Sequence, residues 1–430
     1  MLRSATLALV LVSGTALPTT AAEEARTLQI IVSTDSQQLT VYDGDRIVAR
    51  SNVSTGKPGH DTPTGIFSVL EKRKYHESNI YSAAPMPWMQ RLTWSGIALH
   101  ESSSVPRYPA SHGCVRMPAE FARQLYRMTT RGVHVIISDS AVAPQPVRHA
   151  ALFSPLAEAP PDELLSDVSL RSSAAHGGAG EVQVAMNMPP APVPVVSGAP
   201  EKTVTPPQAG KAPQAAAASE PAPLRILITR RDVKDTVRDV QDMLSELGFD
   251  AGAADGIMGS ATRSALAGFK RWKALPLKGS QLTPDLLAAL YASAGRTPPP
   301  AGQILVRQGF QDILSEPVAF KDPERALGTH FLSVIGIDRD KGDAEWRGLS
   351  LQNDLSDADR KRLAIMQAAP EGPGALSAVL DRISIPEDVR MKISTTMSTG
   401  TSLTITDTGT GIETTAGTDF ITLTHRGPRA

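Results

Sequence analysis

Apolar and polar positions alternate in Leu39-Thr40-Val41-Tyr42, Asp43-Gly44 suits a tight turn, and Ile47-Val48-Ala49 reads as the returning strand. Asp35 and Ser36 mark an earlier turn of the same kind. Ile97-Ala98-Leu99 is a short continuous apolar run, the pattern of a buried strand. The period then changes. Pro118 opens a helix in which Phe121, Leu125 and Met128 recur at i, i+4 and i+7, giving it one buried face. Gly132 ends that helix, and residues 133–137 read as a closing strand. Residues 27–140 are therefore expected to be mainly β with one helix.

Over residues 141–225 the periodicity disappears. Fifteen of the 34 prolines fall here and Phe153 is the only aromatic residue. Such a segment buries too little apolar surface to offset its chain entropy, which predicts a partly extended linker. From residue 226 a helical period returns: Val240, Met243, Leu244 and Leu247 share a face, closed by Gly248. Asp255-Gly256 makes a turn, and Ala265, Phe269 and Trp272 line a second helix. Thr283-Pro284 supplies an N-cap and a first-position proline for a third, over residues 285–291.

Residues 300–430 repeat pieces of the first domain. Trp346-Arg347-Gly348-Leu349-Ser350-Leu351-Gln352 lines up with Trp94-Ser95-Gly96-Ile97-Ala98-Leu99-His100. Pro386, Gly400, Ile405 and Asp407 lie 268 positions beyond Pro118, Gly132, Ile137 and Asp139. Gly328-Thr329-His330-Phe331-Leu332-Ser333-Val334 echoes Gly65-Ile66-Phe67-Ser68-Val69. A diverged second copy of the first fold is expected. In this alignment Gln352 stands for His100 and Arg382 for Cys114.

Charge and address narrow the function. A net charge of −1 gives no electrostatic case for nucleic acid or an anionic membrane. Arg3, an apolar run over residues 5–17 and Thr20-Ala21-Ala22 form the pattern of a secretory signal cleaved after Ala22. The run is short for a membrane span, so an exported, soluble mature protein without one is expected.

Ser111-His112-Gly113-Cys114-Val115-Arg116-Met117 holds the only cysteine of the 430 residues. A thiolate attacks carbonyls well, but needs a base to form it and donors to receive the oxyanion. His100, at the end of the apolar run, is placed to approach from across the fold. Gly113 lets the backbone turn so that its own N–H and that of Cys114 converge. With one cysteine no internal disulfide forms, so the thiol is either a nucleophile or a packing residue. His100, His112 and Cys114 are also metal-ligand types, but they lack the paired spacing of zinc sites, and neither metal nor cofactor is expected.

Residues 94–100 and 109–116, with Val53-Ser54-Thr55-Gly56-Lys57 and Thr62-Pro63-Thr64-Gly65-Ile66-Phe67 upstream, resemble the signature of the L,D-transpeptidase (YkuD) family over about residues 27–140. Glu101 departs from it, since a small residue commonly follows the first histidine. The spaced pattern from Gln241 through Asp255-Gly256-Ile257 to Phe269 is similar to the three-helix peptidoglycan-binding module, departing at Lys270. A helical packing domain without a ligand is the plainer alternative.

The resemblance implies that Cys114 is the nucleophile and His100 the general base. The backbone carbonyl of Ser111 would orient His100, and the Gly113 N–H would hold the oxyanion. His112 and Arg116 would contact substrate, Arg116 through a carboxylate. Met86 and Trp88 would line the acceptor groove, although an apolar loop packed on the sandwich explains them equally well. The implied partners are peptidoglycan stem peptides and glycan. Cys114 would attack the carbonyl between the third and fourth residues of a tetrapeptide stem, release D-alanine, and pass the acyl group to a side-chain amine of another stem. Water, a free D-amino acid or the amine of an outer-membrane protein are alternative acceptors. A non-catalytic wall-binding protein is a reading of another class.

The chain is thus expected to be multidomain and β-rich. Residues 1–22 are a signal peptide, 23–140 a mainly-β sandwich catalytic domain, and 141–225 a linker. Residues 226–295 form a three-helix bundle, and 296–430 a degenerate copy of the catalytic fold lacking Cys and His.

Overall fold

The computed structural model describes residues 27–78, 83–157, 221–278, 282–352 and 355–425. The expected signal segment and the greater part of the expected linker lie outside the described residues. β1 (Leu28–Ser33), β2 (Gln38–Asp43) and β3 (Arg46–Asn52) form an antiparallel meander, with Val32, Leu39 and Val41 fully buried. β4 (Thr64–Ser68) follows, then four short elements: β5 (Glu71–Arg73), β6 (Met89–Arg91), β7 (Ala98–Glu101) and β8 (Val115–Met117). These last four make a small sheet of their own, in chain order. α1 (Ala119–Met128) buries Phe121, Ala122 and Leu125, with Pro118 as its N-cap. It returns the chain to β9 (His134–Ser138), which runs parallel to β1 and pairs with β4 on its other edge.

Part of the segment expected as linker is built into the fold. β10 (Gln145–Val147) joins a second sheet, and Leu152 and Phe153 are buried in that sheet's core. One aromatic and one leucine find a prepared apolar site there, which composition averaged over a long segment conceals. The helical module also sits differently. β11 (Leu224–Arg230) precedes α2 (Val233–Glu246), α3 (Ser260–Trp272) and α4 (Pro284–Ser293), and β12 (Gly302–Gln308) follows them. β11 and β12 pair along their whole length, so the three helices are an insertion between neighbouring strands. The run Leu224, Ile226, Leu227 and Ile228 is the near-continuous apolar pattern of a strand covered on both faces.

β13 (Gln311–Phe320), β14 (Thr329–Asp338) and β15 (Asp343–Leu351) extend the second sheet. The short helices α5 (Asp357–Arg362) and α6 (Ala375–Leu380) then lead to β16 (Ile383–Ser384), α7 (Glu387–Thr396), β17 (Ser402–Thr406) and β18 (Thr422–His425). The first sheet has the order β18-β4-β9-β1-β2-β3, and the second contains the matching run β14-β17-β11-β12-β13. His134 opposes Gln29 as Ser402 opposes Arg225. Pro118 and Pro386 cap their helices at nearly the same dihedral angles, ψ 145° and 143°.

The correspondence differs from the sequence alignment at one place. β15 lies beside β14 in the large sheet, whereas β7 lies between β6 and β8 in the small one. Gln352 therefore does not stand where His100 stands. By register Gly65 corresponds to His330, each opposing the equivalent isoleucine, Ile137 or Ile405. Arg382 does stand where Cys114 stands: Ser384 pairs with Ala319 as Arg116 bridges Ser54. Its guanidinium donates to the carbonyls of Lys321, Asp322, Arg325 and Ala326, a structural plug.

The two sheets share a core. Ile31, Tyr42, Ile66 and Ile136 of the first pack against Phe331, Leu349 and Leu351 of the second. His134 and Ser402, equivalent positions in the two halves, hydrogen-bond to each other at 2.9 Å. β18 leaves the second half and pairs antiparallel with β4. Gly65 permits this approach, because a Cβ there would lie 2.1 Å from the Thr422 carbonyl oxygen.

Candidate active site

Period-two geometry of the small sheet builds the site. Leu99, Val115 and Met117 point into the main core of the first half. Ala98, His100, Cys114 and Arg116 alternate with them and share the other face. Parallel pairing sets Leu99 beside Val115 and His100 beside Arg116. Cys114 thus sits one strand over and two positions away from His100. The thiol packs against Met86, Met89 and Ala98.

The Ser111–Cys114 turn is fixed from behind. Thr62 Oγ1 donates to the Gly113 carbonyl at 2.7 Å, and the Lys57 N–H donates to the Ser111 carbonyl at 3.0 Å. Ser111 Oγ donates to the Cys114 carbonyl and accepts the Gly113 N–H. Gly113 takes φ +110°, and a Cβ there would meet the Ile97 side chain at 2.8 Å. Sequence reasoning missed Thr62; its position just before Pro63 in the quoted motif was the available signal.

Two expected roles change. His100 Nδ1 lies 2.7 Å from the carbonyl oxygen of Glu101, whereas the Ser111 carbonyl oxygen receives the Lys57 N–H. The backbone of the departing residue, Glu101, orients the imidazole. The Gly113 N–H is engaged by Ser111 Oγ at 3.1 Å, so it serves an oxyanion only after that hydroxyl turns away.

Burial pushes the His100 imidazole down to about 4, with Arg116 adding to the effect and the Glu101 carbonyl opposing it. Burial pushes the Cys114 thiol up to about 11, against the Ala98 N–H and the charges of Arg116 and Arg91. The resting pair is therefore a neutral thiol and a neutral imidazole. The thiol donates to the Gly96 carbonyl at 3.4 Å. The two groups at rest are thus not a preformed thiolate–imidazolium ion pair.

Around this pair the surface is cationic. His112 is exposed, its ring edge-on to His60 at 4.7 Å, and desolvation with Lys57, His60 and Arg116 lowers its basicity. Arg116 is half-buried and, among the described residues, its guanidinium has no carboxylate partner. Met86 is buried under Cys114, while Trp88 packs on the main core and edge-on to Tyr126 at 5.3 Å. His100, His112 and Cys114 form no metal-binding cluster among the described residues.

In the helical module Gln241 is the hub. Its amide donates to Asp255, Thr262 and the Ile257 carbonyl and accepts the Gly256 N–H. Gln241 and Thr262 are buried, and through them α2 and α3 hold the Asp255-Gly256 turn, whose Asp255 is exposed. Gly256 takes φ +76°, and a Cβ there would meet the Lys234 carbonyl at 2.7 Å.

Residues 28–137 match the YkuD family model, described as the L,D-transpeptidase catalytic domain. Residues 233–290 match the model described as "Putative peptidoglycan binding domain". Among solved structures, an L,D-transpeptidase from Mycobacterium smegmatis is 23% identical, with 26% of this chain and 59% of that one covered, at a TM-score of 0.25. One from Xylanimonas cellulosilytica is 28% identical, over 27% and 62%, at 0.24. One from Mycobacterium tuberculosis is 22% identical, over 26% and 58%, at 0.25. The chain thus spans about three fifths of the length of these structures. No curated protein matches the sequence. Two segments of the chain are thus similar to known domains, residues 28–137 to an L,D-transpeptidase catalytic domain and residues 233–290 to a "Putative peptidoglycan binding domain".

Proposed function

We propose that the protein is an L,D-transpeptidase that forms a cysteine acyl-enzyme on a peptidoglycan tetrapeptide stem. The observation that carries this reading is one face of the small sheet, which displays the sole cysteine, a buried neutral histidine two positions off on the neighbouring strand, and an arginine that has no carboxylate partner among the described residues. Cys114 Sγ attacks the carbonyl between the third and fourth stem residues as His100 takes the thiol proton. The tetrahedral oxyanion is received by N–H groups of the 113–114 turn once Ser111 Oγ swings aside. His100 returns the proton to the leaving amine, and D-alanine departs. An amine of a second stem then attacks the thioester, giving a cross-link between third residues and restoring the thiol. Arg116 pairs with a substrate carboxylate, and the helical module concentrates the enzyme on peptidoglycan. A periplasmic, cell-wall-associated location goes with this reading, and the similarity of residues 28–137 and 233–290 to peptidoglycan-acting domains supports it. Among the described residues no helix is long and apolar enough to cross a membrane.

Incubation with a tetrapeptide muropeptide, followed by mass spectrometry, tests this reading beside Cys114→Ala. A dimer lacking one D-alanine, absent from the variant, is the expected product. Tripeptide alone would reassign the acceptor to water, and no Cys114-dependent product would sink the enzymatic reading.

A further inference from the structure

The thiol's hydrogen-bond acceptor, the Gly96 carbonyl, belongs to the turn between β6 and β7. That turn is closed by its own Thr93, whose Oγ1 accepts the Ile97 N–H at 2.9 Å. The N–H groups of Trp94 and Ser95 point outward, and both are received by one carboxylate, that of Glu413, at 2.5 and 3.3 Å. Glu413 is 5% exposed and lies more than 300 positions along the chain, between β17 and β18. Its segment is a strap from the second sheet to the first. Arg307 holds the Thr418 carbonyl, Ile421 is buried in the core of the first half, and β18 then pairs with β4. The same turn carries Ile97, the side chain seated against Gly113.

We propose that Glu413 is a positioning residue of the active site: the C-terminal strap delivers its carboxylate to the turn that carries the thiol's acceptor and seats the Cys114 loop. A buried carboxylate accepting two N–H groups is a strong, directional clamp, because its removal leaves both donors unsatisfied. The second half of the molecule, which has no cysteine of its own, thereby contributes to the chemistry of the first. The effect on turnover rests on Cys114 being the nucleophile; the effect on the thiol itself does not.

The test uses the full chain with Glu413→Ala, Glu413→Gln and, as a control on the same strap, Ile412→Ala, an exposed neighbour. Alkylation by iodoacetamide is followed by mass across pH, and the sole cysteine makes the signal unambiguous. Circular dichroism reports folding, and muropeptide turnover gives kcat and KM. In Glu413→Ala the alkylation midpoint is expected to fall, because the acceptor that favours the protonated thiol is no longer held. At the same time kcat drops about tenfold with KM little changed, the mark of misplaced groups rather than lost binding. Glu413→Gln, which keeps one acceptor oxygen, shifts less in the same direction, and Ile412→Ala matches the wild type. Folded Glu413 variants with wild-type alkylation and kcat overturn the proposal. Should Glu413→Ala not fold, Glu413→Gln decides by the same two outcomes. Absence of turnover in the wild type would count against the transpeptidase reading, and alkylation would still decide the role of Glu413.

Discussion

Burial keeps the His100 imidazole free of its proton at neutral pH, the state that the proposed role as general base requires. The acid limb of kcat/KM should fall near pH 4 rather than near 6.5, as read from the pH–rate profile. A limb at 6.5 would mean that the imidazole is solvated. The same shift bears on stability. The folded-state value is depressed, so the unfolded chain binds more protons between about 4 and 6.5. Stability is therefore full above pH 6.5 and declines as pH falls through that window, by up to about 3 kcal/mol for His100 alone. His134, buried against Phe331 and also depressed, adds in the same direction. Urea titrations at pH 7 and pH 4 measure the difference. At this scale the sequence was informative about identity and less so about partners. Cys114 and His100 were legible because few residue types do this chemistry. The partner of Nδ1 was not, because a backbone carbonyl leaves no trace in residue type.

Helices and strands differ in how openly they declare themselves. α1 and α4 formed where expected to within a few residues, and α2 buries the expected Val240, Met243 and Leu244 but starts at a capping box, Asp232 with Asp235, that the sequence reading did not name. β11 was missed, since an apolar run next to a helical module does not say which strand it will join. Within the module, Gln241→Ala should cost about 1–3 kcal/mol, because it removes the buried amide that ties the exposed Asp255 turn and the Gly256 N–H to Thr262. Amide hydrogen exchange of α2 and α3 in the full chain would show this as earlier local opening. Exchange unchanged from the wild type would mean that water replaces the amide. Asp139 and Asp407, which recur at the same offset, are structural: Asp407 accepts Arg230 and the N–H groups of Leu327 and Gly328, and Asp139 accepts Thr34.

For the whole molecule, the consequence of two sheets sharing one core is interdependence. β10 is lent to the second sheet and β18 to the first. Residues 23–158 produced alone would lose β18 and Ile421, and would expose Ile31, Tyr42, Ile66 and Ile136 to water. Each such side chain contributes about 1.5–3 kcal/mol when fully buried, which is large against the marginal stability of a domain. The isolated half is expected to aggregate in size-exclusion chromatography. A monomer that unfolds cooperatively would show that the halves are independent.

Local sequence by itself determined the strand-and-turn pattern of the first half, the caps and faces of most helices, and the residue types of the reactive pair. Each of those depends on interactions within a few residues of chain. Tertiary structure alone decided that the helical module interrupts a sheet, that Gln352 is not the counterpart of His100, and that Glu413 reaches the turn beside Cys114. These are pairings between segments tens to hundreds of positions apart. Strand register and backbone acceptors are set by which edge a segment meets, and an edge exists only after the rest of the chain has folded.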